Sequence, residues 1–295
     1  MREGFRKIIT WLGVMALLTL IAMGLWYLLL GGSQTTASLK WLQCLQTVGT
    51  FLLPPLVCAT LWDSGHQPMR WLKLDKGAKG SVFLIAVAVM ICAIPGINLL
   101  ADLNNRIELP ESLGFIEQKM RAMEEAAAAL TERFLYADNA GVMLINVCLM
   151  ALLPALSEEL SFRGTLQQIL KGDNEESNVR KHVAIWCTAI IFSAIHMQFY
   201  GFIPRMLMGA LFGYVFVWTG SLWVPIVMHF TNNSIAVLAY YFLDEIGENG
   251  KSYADTIGAG TTWWLGVISL IAVGLLLWLL TSLDLPGCDR RTHKG

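Results

Sequence analysis

Leu153-Pro154-Ala155-Leu156-Ser157-Glu158-Glu159-Leu160-Ser161-Phe162-Arg163-Gly164 lies inside an otherwise apolar run, 142–170. Two neighbouring carboxylates and a guanidinium sit in a stretch that no soluble surface would carry. The surrounding chain explains it. Of 295 residues, 55% are apolar and 15% charged, and the apolar ones come in blocks of about 20 without charge rather than at helical or strand spacing. Such blocks predict an all-α, polytopic membrane protein, because hydrocarbon offers no partner to a free N–H or C=O and each span must bond its backbone internally.

Eight spans are expected: 8–30, 41–62, 81–101, 142–170, 183–199, 202–219, 222–243 and 262–283. The first follows Arg2, Arg6 and Lys7 and exceeds a signal peptide's apolar core, so it is expected to stay as a helix. Pro54, Pro55, Pro95, Pro154, Pro204 and Pro225 should kink or start helices. With the N-terminus inside, fourteen of the 21 Lys and Arg fall in inside segments, Arg163 among them. The outside keeps Lys40, Arg106, Lys119, Arg121, Arg133, Arg205 and Lys251. That bias predicts both termini in the cytoplasm, with the protein in the inner membrane if the source is bacterial.

The segment at about 115–136 repeats Ile116, Met120, Met123, Ala127, Leu130 and Phe134 at spacings of three and four, with Glu117, Glu124, Glu125 and Glu132 opposite. It reads as an amphipathic helix on the outer leaflet. The chain, 1–295, is otherwise one integral membrane domain. Net charge is −1 and no basic face interleaves with aromatics, which sets nucleic acid aside as a partner. Cys44, Cys58, Cys92, Cys148, Cys187 and Cys288 lack metal-ligand spacing and read as small buried hydrophobes. His66, His182 and His293 fall in loops or at helix ends, where nothing calls for a role.

An ionisable residue in an apolar span costs a few kcal/mol, so it is a candidate for function. Besides Glu158, Glu159 and Arg163, the fifth span holds Phe192-Ser193-Ala194-Ile195-His196 and the seventh holds His229-Phe230-Thr231-Asn232-Asn233. On a helix, Glu159 and Arg163 share a face and can neutralise one another. Glu158 is turned about 100° away and has no partner on its own helix, which suits a general base. His229 and Asn233, four apart, present an imidazole and an amide together. Counted from the inner ends at about 1.5 Å per residue, Glu158, His196 and His229 lie about 18, 20 and 10 Å deep. A base, two imidazoles and an amide donor meet the needs of water-mediated amide hydrolysis. A structural strut built from the same residues, or a proton relay, stays open at this point.

Glu158-Glu159-x-x-x-Arg163, then Phe192-x-x-x-His196, then His229-x-x-x-Asn233, resembles the three-part signature of the CAAX protease and bacteriocin-processing family, over about 144–240. The resemblance implies an eight-helix bundle with a catalytic cavity sunk in the membrane, and a peptide or protein at the bilayer as substrate. By position, Glu158 and His196 would activate a water, and His229 and Asn233 would hold the oxyanion. Glu159, Arg163 and Phe192 would support them. Some relatives imply bacteriocin immunity by binding instead. No cofactor is expected. Were zinc used, Glu158, His196 and His229 would be its ligands, although there is no HExxH and no carboxylate clearly placed to orient either imidazole.

Overall fold

The computed structural model describes residues 2–63, 65, 67–172, 177–244, 256–283 and 285–286. His66, Lys251, Cys288, Arg290, Arg291, His293 and Lys294 lie outside them. The described residues are helical, with no strand among them. We number the helices α1 (Arg2–Leu30), α2 (Thr36–Trp62), α3 (Pro68–Trp71), α4 (Gly80–Asn105), α5 (Gly114–Leu135), α6 (Ala140–Lys171), α7 (Asn178–Ala194), α8 (Phe202–Thr219), α9 (Trp223–Asp244) and α10 (Trp263–Ser282).

Seven of these, all but α3, α5 and α7, are long and apolar enough to cross a membrane. The chain is a polytopic helical bundle, as its apolar blocks require. The eighth expected span, 183–199, is displaced: α7 has 17 residues, about 25 Å, and stops at Ala194. Met197 takes a left-handed φ of 55°, which turns the chain out of the helix. Residues 195–201 therefore connect α7 to α8 as irregular backbone. That is tolerable near a bilayer only where protein supplies the hydrogen bonds. Asn104 at the end of α4 does so, donating from Nδ2 to the Phe199 carbonyl and accepting from the Ile203 amide.

Proline shapes two of the long spans. Each is a broken α-helix: α2 passes through a wider π turn at Val48–Leu52 just before Pro54 and Pro55, and α6 does so at Val147–Leu152 just before Pro154. A proline has no N–H for the carbonyl four residues earlier. Pro55 thus frees Phe51 and Pro154 frees Met150. Side chains from later spans take both carbonyls: Ser161 Oγ donates to Phe51 at 2.8 Å, and Asn233 Nδ2 to Met150 at 3.4 Å. A third π turn, Phe162–Gln167, begins three residues after Glu159.

The bundle's apolar centre joins Val82, Ala86, Val89 and Met90 of α4 to Phe212 and Val215 of α8, Val224 and Met228 of α9, and Leu280 of α10. A second cluster, Trp11, Cys58, Phe162, Leu166 and Phe192, packs α1, α2 and α7 around α6. Helix α6 also meets α8 through a matched ladder. Arg163 and Gln167, four apart, donate to the carbonyls of Gly209 and Gly213, also four apart, at 2.9 and 3.1 Å. A Cβ on Gly213 would meet Gln167 Oε1 at 2.7 Å and Ile185 Cγ2 at 3.0 Å, so a larger residue there displaces the Gln167 rung.

The amphipathic helix lies where its periodicity places it, as α5. Only one expectation about the cysteines needs changing. Cys58 is buried and Cys44 and Cys92 are half-buried, but Cys148 and Cys187 are exposed on the outside of the bundle. In a bilayer that surface meets lipid, which a thiol tolerates as well as a core does.

Candidate active site

The 4-residue spacing of Glu159 and Arg163 yields a fully buried ion pair, Nη1 to Oε1 at 2.7 Å, with no exposure of either side chain. The same carboxylate oxygen also takes a second bond: Nδ1 of His229 lies 2.9 Å from Glu159 Oε1. An ionised carboxylate only accepts, so Nδ1 carries the proton and Nε2 of His229 is turned away from Glu159. The expectation that no carboxylate orients an imidazole is thereby overturned. Spacing along one helix could not reveal it, since Glu159 and His229 stand 70 residues apart.

Glu158 is placed differently. Its side chain keeps 16% exposure, and Oε2 lies 3.9 Å from Nε2 of His229. The two glutamates therefore flank the two nitrogens of one ring, one held through Oε1 by Arg163 and the ring, the other open. Phe192 forms the floor between the elements. Its ring stands 5.1 Å from His196, 6.2 Å from His229 and 5.1 Å from Phe162, with the Arg163 guanidinium 4.8 Å from its centroid. Phe212 of α8 covers the other side of His229 at 5.6 Å. Two aromatic rings enclosing a guanidinium and an imidazole hold both at fixed orientation while keeping water from Glu159.

His196 does not sit inside a helix as the span count had it. It lies in the turn just beyond α7. The last carbonyls of a helix lack internal partners, and His196 Nδ1 bonds one of them, Phe192 O, at 2.8 Å. A carbonyl only accepts, so this ring too carries its proton on Nδ1, leaving Nε2 with the free lone pair. The turn is clamped from outside. Ser193 Oγ donates to Phe202 O at 2.7 Å, and Glu124 Oε2 of α5 accepts the Tyr200 amide at 3.3 Å. Arg121 of α5 covers the Tyr200 ring at 4.5 Å.

Asn233 shares the α9 face with His229, but one of its amide protons is engaged by Met150 O at 3.4 Å, and its Oδ1 accepts from Asn232. The second amide proton is uncommitted among the described residues. Arg205, counted in the sequence as an outside loop cation, lies in the first turn of α8 half-buried, with Nη2 2.7 Å from Gln198 Oε1. Lys40 behaves similarly, donating from Nζ to buried Asn146 Oδ1 at 2.6 Å. The signal for both was available: each is a lone cation at the mouth of an apolar helix. The ladder glycines Gly209 and Gly213 also went unread, though their spacing with Arg163 and Gln167 was visible.

Zinc would require Glu158, His196 and His229 together. Among the described residues no group of three His, Cys, Asp or Glu side chains is arranged to hold a metal ion. Glu158 and His229 approach each other, but the set as placed does not fit.

Residues 140–235 match the family described as type II CAAX prenyl endopeptidase Rce1-like. The matched stretch holds α6, α7, α8 and the motif-bearing part of α9, and the match bears out the resemblance read from the three motifs. The likeness to this endopeptidase family covers 96 of the 295 residues. An uncharacterized protein of Bacillus subtilis (strain 168), YpbD, is 30% identical over 94 residues, covering 30% of this chain and 43% of YpbD. The chain therefore spans less than half the length of the curated relative it matches. No solved structure matches it.

Proposed function

We propose that the protein is an intramembrane endopeptidase, CAAX-protease-like, that hydrolyses a peptide bond with a carboxylate-activated water. The observation that carries this reading is the division of labour between adjacent glutamates: Glu159 is consumed by Arg163 and His229, while Glu158 stays accessible 3.9 Å from the same imidazole. A purely structural polar knot has no use for the second carboxylate.

In the proposed reaction, Glu158, with the free Nε2 of His196 as a second acceptor, takes a proton from water. The resulting hydroxide adds to the scissile carbonyl carbon. The new oxyanion accepts hydrogen bonds from His229 Nε2–H and the uncommitted amide proton of Asn233. Because Nδ1 of His229 already donates to Glu159, the ring must be an imidazolium to donate from Nε2 as well. Collapse breaks the C–N bond, and Glu158 returns its proton to the leaving amine. No step passes through a metal. The substrate is a peptide or protein presented at the bilayer. Both termini are assigned to the cytoplasm on the bias of Lys and Arg, which requires the 17-residue α7 to cross as the eighth span.

The test is cleavage of a peptide library, prenylated C-terminal peptides included, by the full chain reconstituted in vesicles. Wild type should cleave. Glu158→Gln should lower kcat about 10²- to 10⁴-fold, and His229→Ala about 10²- to 10³-fold. Chelators should leave the rate unchanged. No cleavage by wild type, or full activity in Glu158→Gln, sinks the peptidase reading.

A further inference from the structure

The three motif-bearing helices lose their burial in one direction. On α6, Glu159 through Gln167 are buried, whereas Glu158, just before them, keeps 16% exposure. On α7, Phe192 is buried and His196 beyond it is half-buried; on α9, His229 is buried and Asn233 beyond it is half-buried. Helix α5 touches the end toward which each of these steps leads. It meets the start of α6, where Asn146 Nδ2 donates to Leu135 O at 2.9 Å, and the turn after α7 through Glu124 and Tyr200. It meets the far end of α9 where Tyr240 Oη donates to Glu132 Oε1 at 3.4 Å.

The ladder between α6 and α8 fixes the level of the glutamates. The two helices run in the same direction, and Arg163 and Gln167 stand level with Gly209 and Gly213. One turn earlier on each, Glu159 stands level with Arg205, in the first turn of α8. Arg205 accordingly acts through space on Glu158 and on Glu124 of α5. The acidic pair thus lies a single turn beneath the start of α8. The opposite approach is closed: Phe162 and Leu166 pack with Trp11 and Phe192, and Leu160 with Leu222, all buried. The cavity at that end, between Trp71 and Ile169, has no site residue among its described lining.

We propose that the site is entered from the face on which α5 lies and from no other, past a rim formed by Gln198, Arg205 and α5. With both termini assigned to the cytoplasm that face is extracytoplasmic, and the substrate is a peptide segment displayed there. Phe115, Ile116 and Leu130 of α5 stay exposed, as suits a helix seated in the interface beside an opening. The opening itself does not depend on the peptidase reading; the choice of a peptide as what enters does.

Sidedness can be read by labelling. Glu158→Cys, Lys119→Cys on α5 and Lys73→Cys at the opposite end are each introduced into the full chain. Right-side-out and inverted vesicles are then treated with a membrane-impermeant maleimide, with wild type as the blank for the native cysteines. Glu158→Cys and Lys119→Cys should label in right-side-out vesicles and not in inverted ones, and Lys73→Cys the reverse. Labelling of Glu158→Cys from the Lys73 side overturns the proposal, and so does its protection from both sides while Lys119→Cys reacts. Labelling of Lys119→Cys in inverted vesicles alone overturns the extracytoplasmic assignment. Should Glu158→Cys not fold, Gln198→Cys in the rim is read by the same outcomes. An impermeant peptide substrate should then be cleaved by right-side-out vesicles only, and cleavage by inverted vesicles only is equally decisive against the proposal. No cleavage from either side, with the labelling as expected, counts against the peptidase reading and leaves the opening supported.

Discussion

At the scale of single residues, Glu159 is the most constrained group in the bundle. One of its oxygens serves both Arg163 and His229, while Oε2 is buried with no hydrogen-bond partner among the described residues. Removing Arg163 strands a buried carboxylate. Arg163→Leu should therefore destabilise the protein by about 3–5 kcal/mol, measured as unfolding in mild denaturant, and Arg163→Leu with Glu159→Leu should recover part of that loss. Glu158→Gln should cost less than Arg163→Leu, since its carboxylate keeps some exposure and stands 3.9 Å from His229 without a hydrogen bond to it. If both single variants lose stability equally, the assigned difference between the glutamates is wrong. The pairing of Glu159 with Arg163 was legible in the sequence because it is local, set by one turn of helix. The bond from His229 was not, because it depends on how α9 lies against α6.

At the scale of elements, apolar blocks located nearly every helix, and the bounds of α8 agree with the reading at both ends. The π turns of α2 and α6 were not legible, since they arise from where displaced carbonyls find partners on other helices. The end of α7 was misread for a related reason: the apolar pattern runs on through Phe199, but the backbone turns at Met197. Helix α5, expected to lie on the interface, with a lid or substrate-gating role as the alternative, braces the turn that carries His196 through Glu124 and Arg121. Glu124→Ala should therefore lower kcat several-fold with little change in unfolding midpoint, a split that loss of simple packing would not give. Gly213→Val should act oppositely, overpacking the α6–α8 ladder at a cost of about 1–3 kcal/mol. The docking of α5 should also depend on pH. The Leu109 amide, at 3.0 Å, and Arg121 hold the Glu117 carboxyl below its ordinary 4.5. A lowered folded value means the contribution is complete above pH 4.5 and fades as pH falls through the folded value. The protection of the Leu109 amide, its exchange rate taken relative to the intrinsic rate at each pH, should fall below pH 4.5 and stay flat from 5 to 8.

For the whole molecule, composition alone settled the solvent and the fold class, and the three short motifs marked the helices that converge. Their convergence into one site was beyond reach of a linear reading, because depth counted along separate helices says nothing of their tilt. The matched segment, 140–235, contains both glutamates, both histidines and Asn233, yet what holds them in register comes partly from outside it, from Asn104, Arg121 and Glu124. A chain cut down to the matched segment should accordingly be inactive even where it inserts, which a cleavage assay on the fragment would check. The carbonyls freed by Pro55 and Pro154 extend this dependence into time. Phe51 waits for Ser161, 110 residues later, and Met150 for Asn233, 83 residues later. At about 5–20 residues per second of synthesis, each stays without its partner on the order of ten seconds after it is made. Until then each of these spans carries a carbonyl that only a later helix can satisfy, so the hydrogen bonding of α2 is completed by α6 and that of α6 by α9.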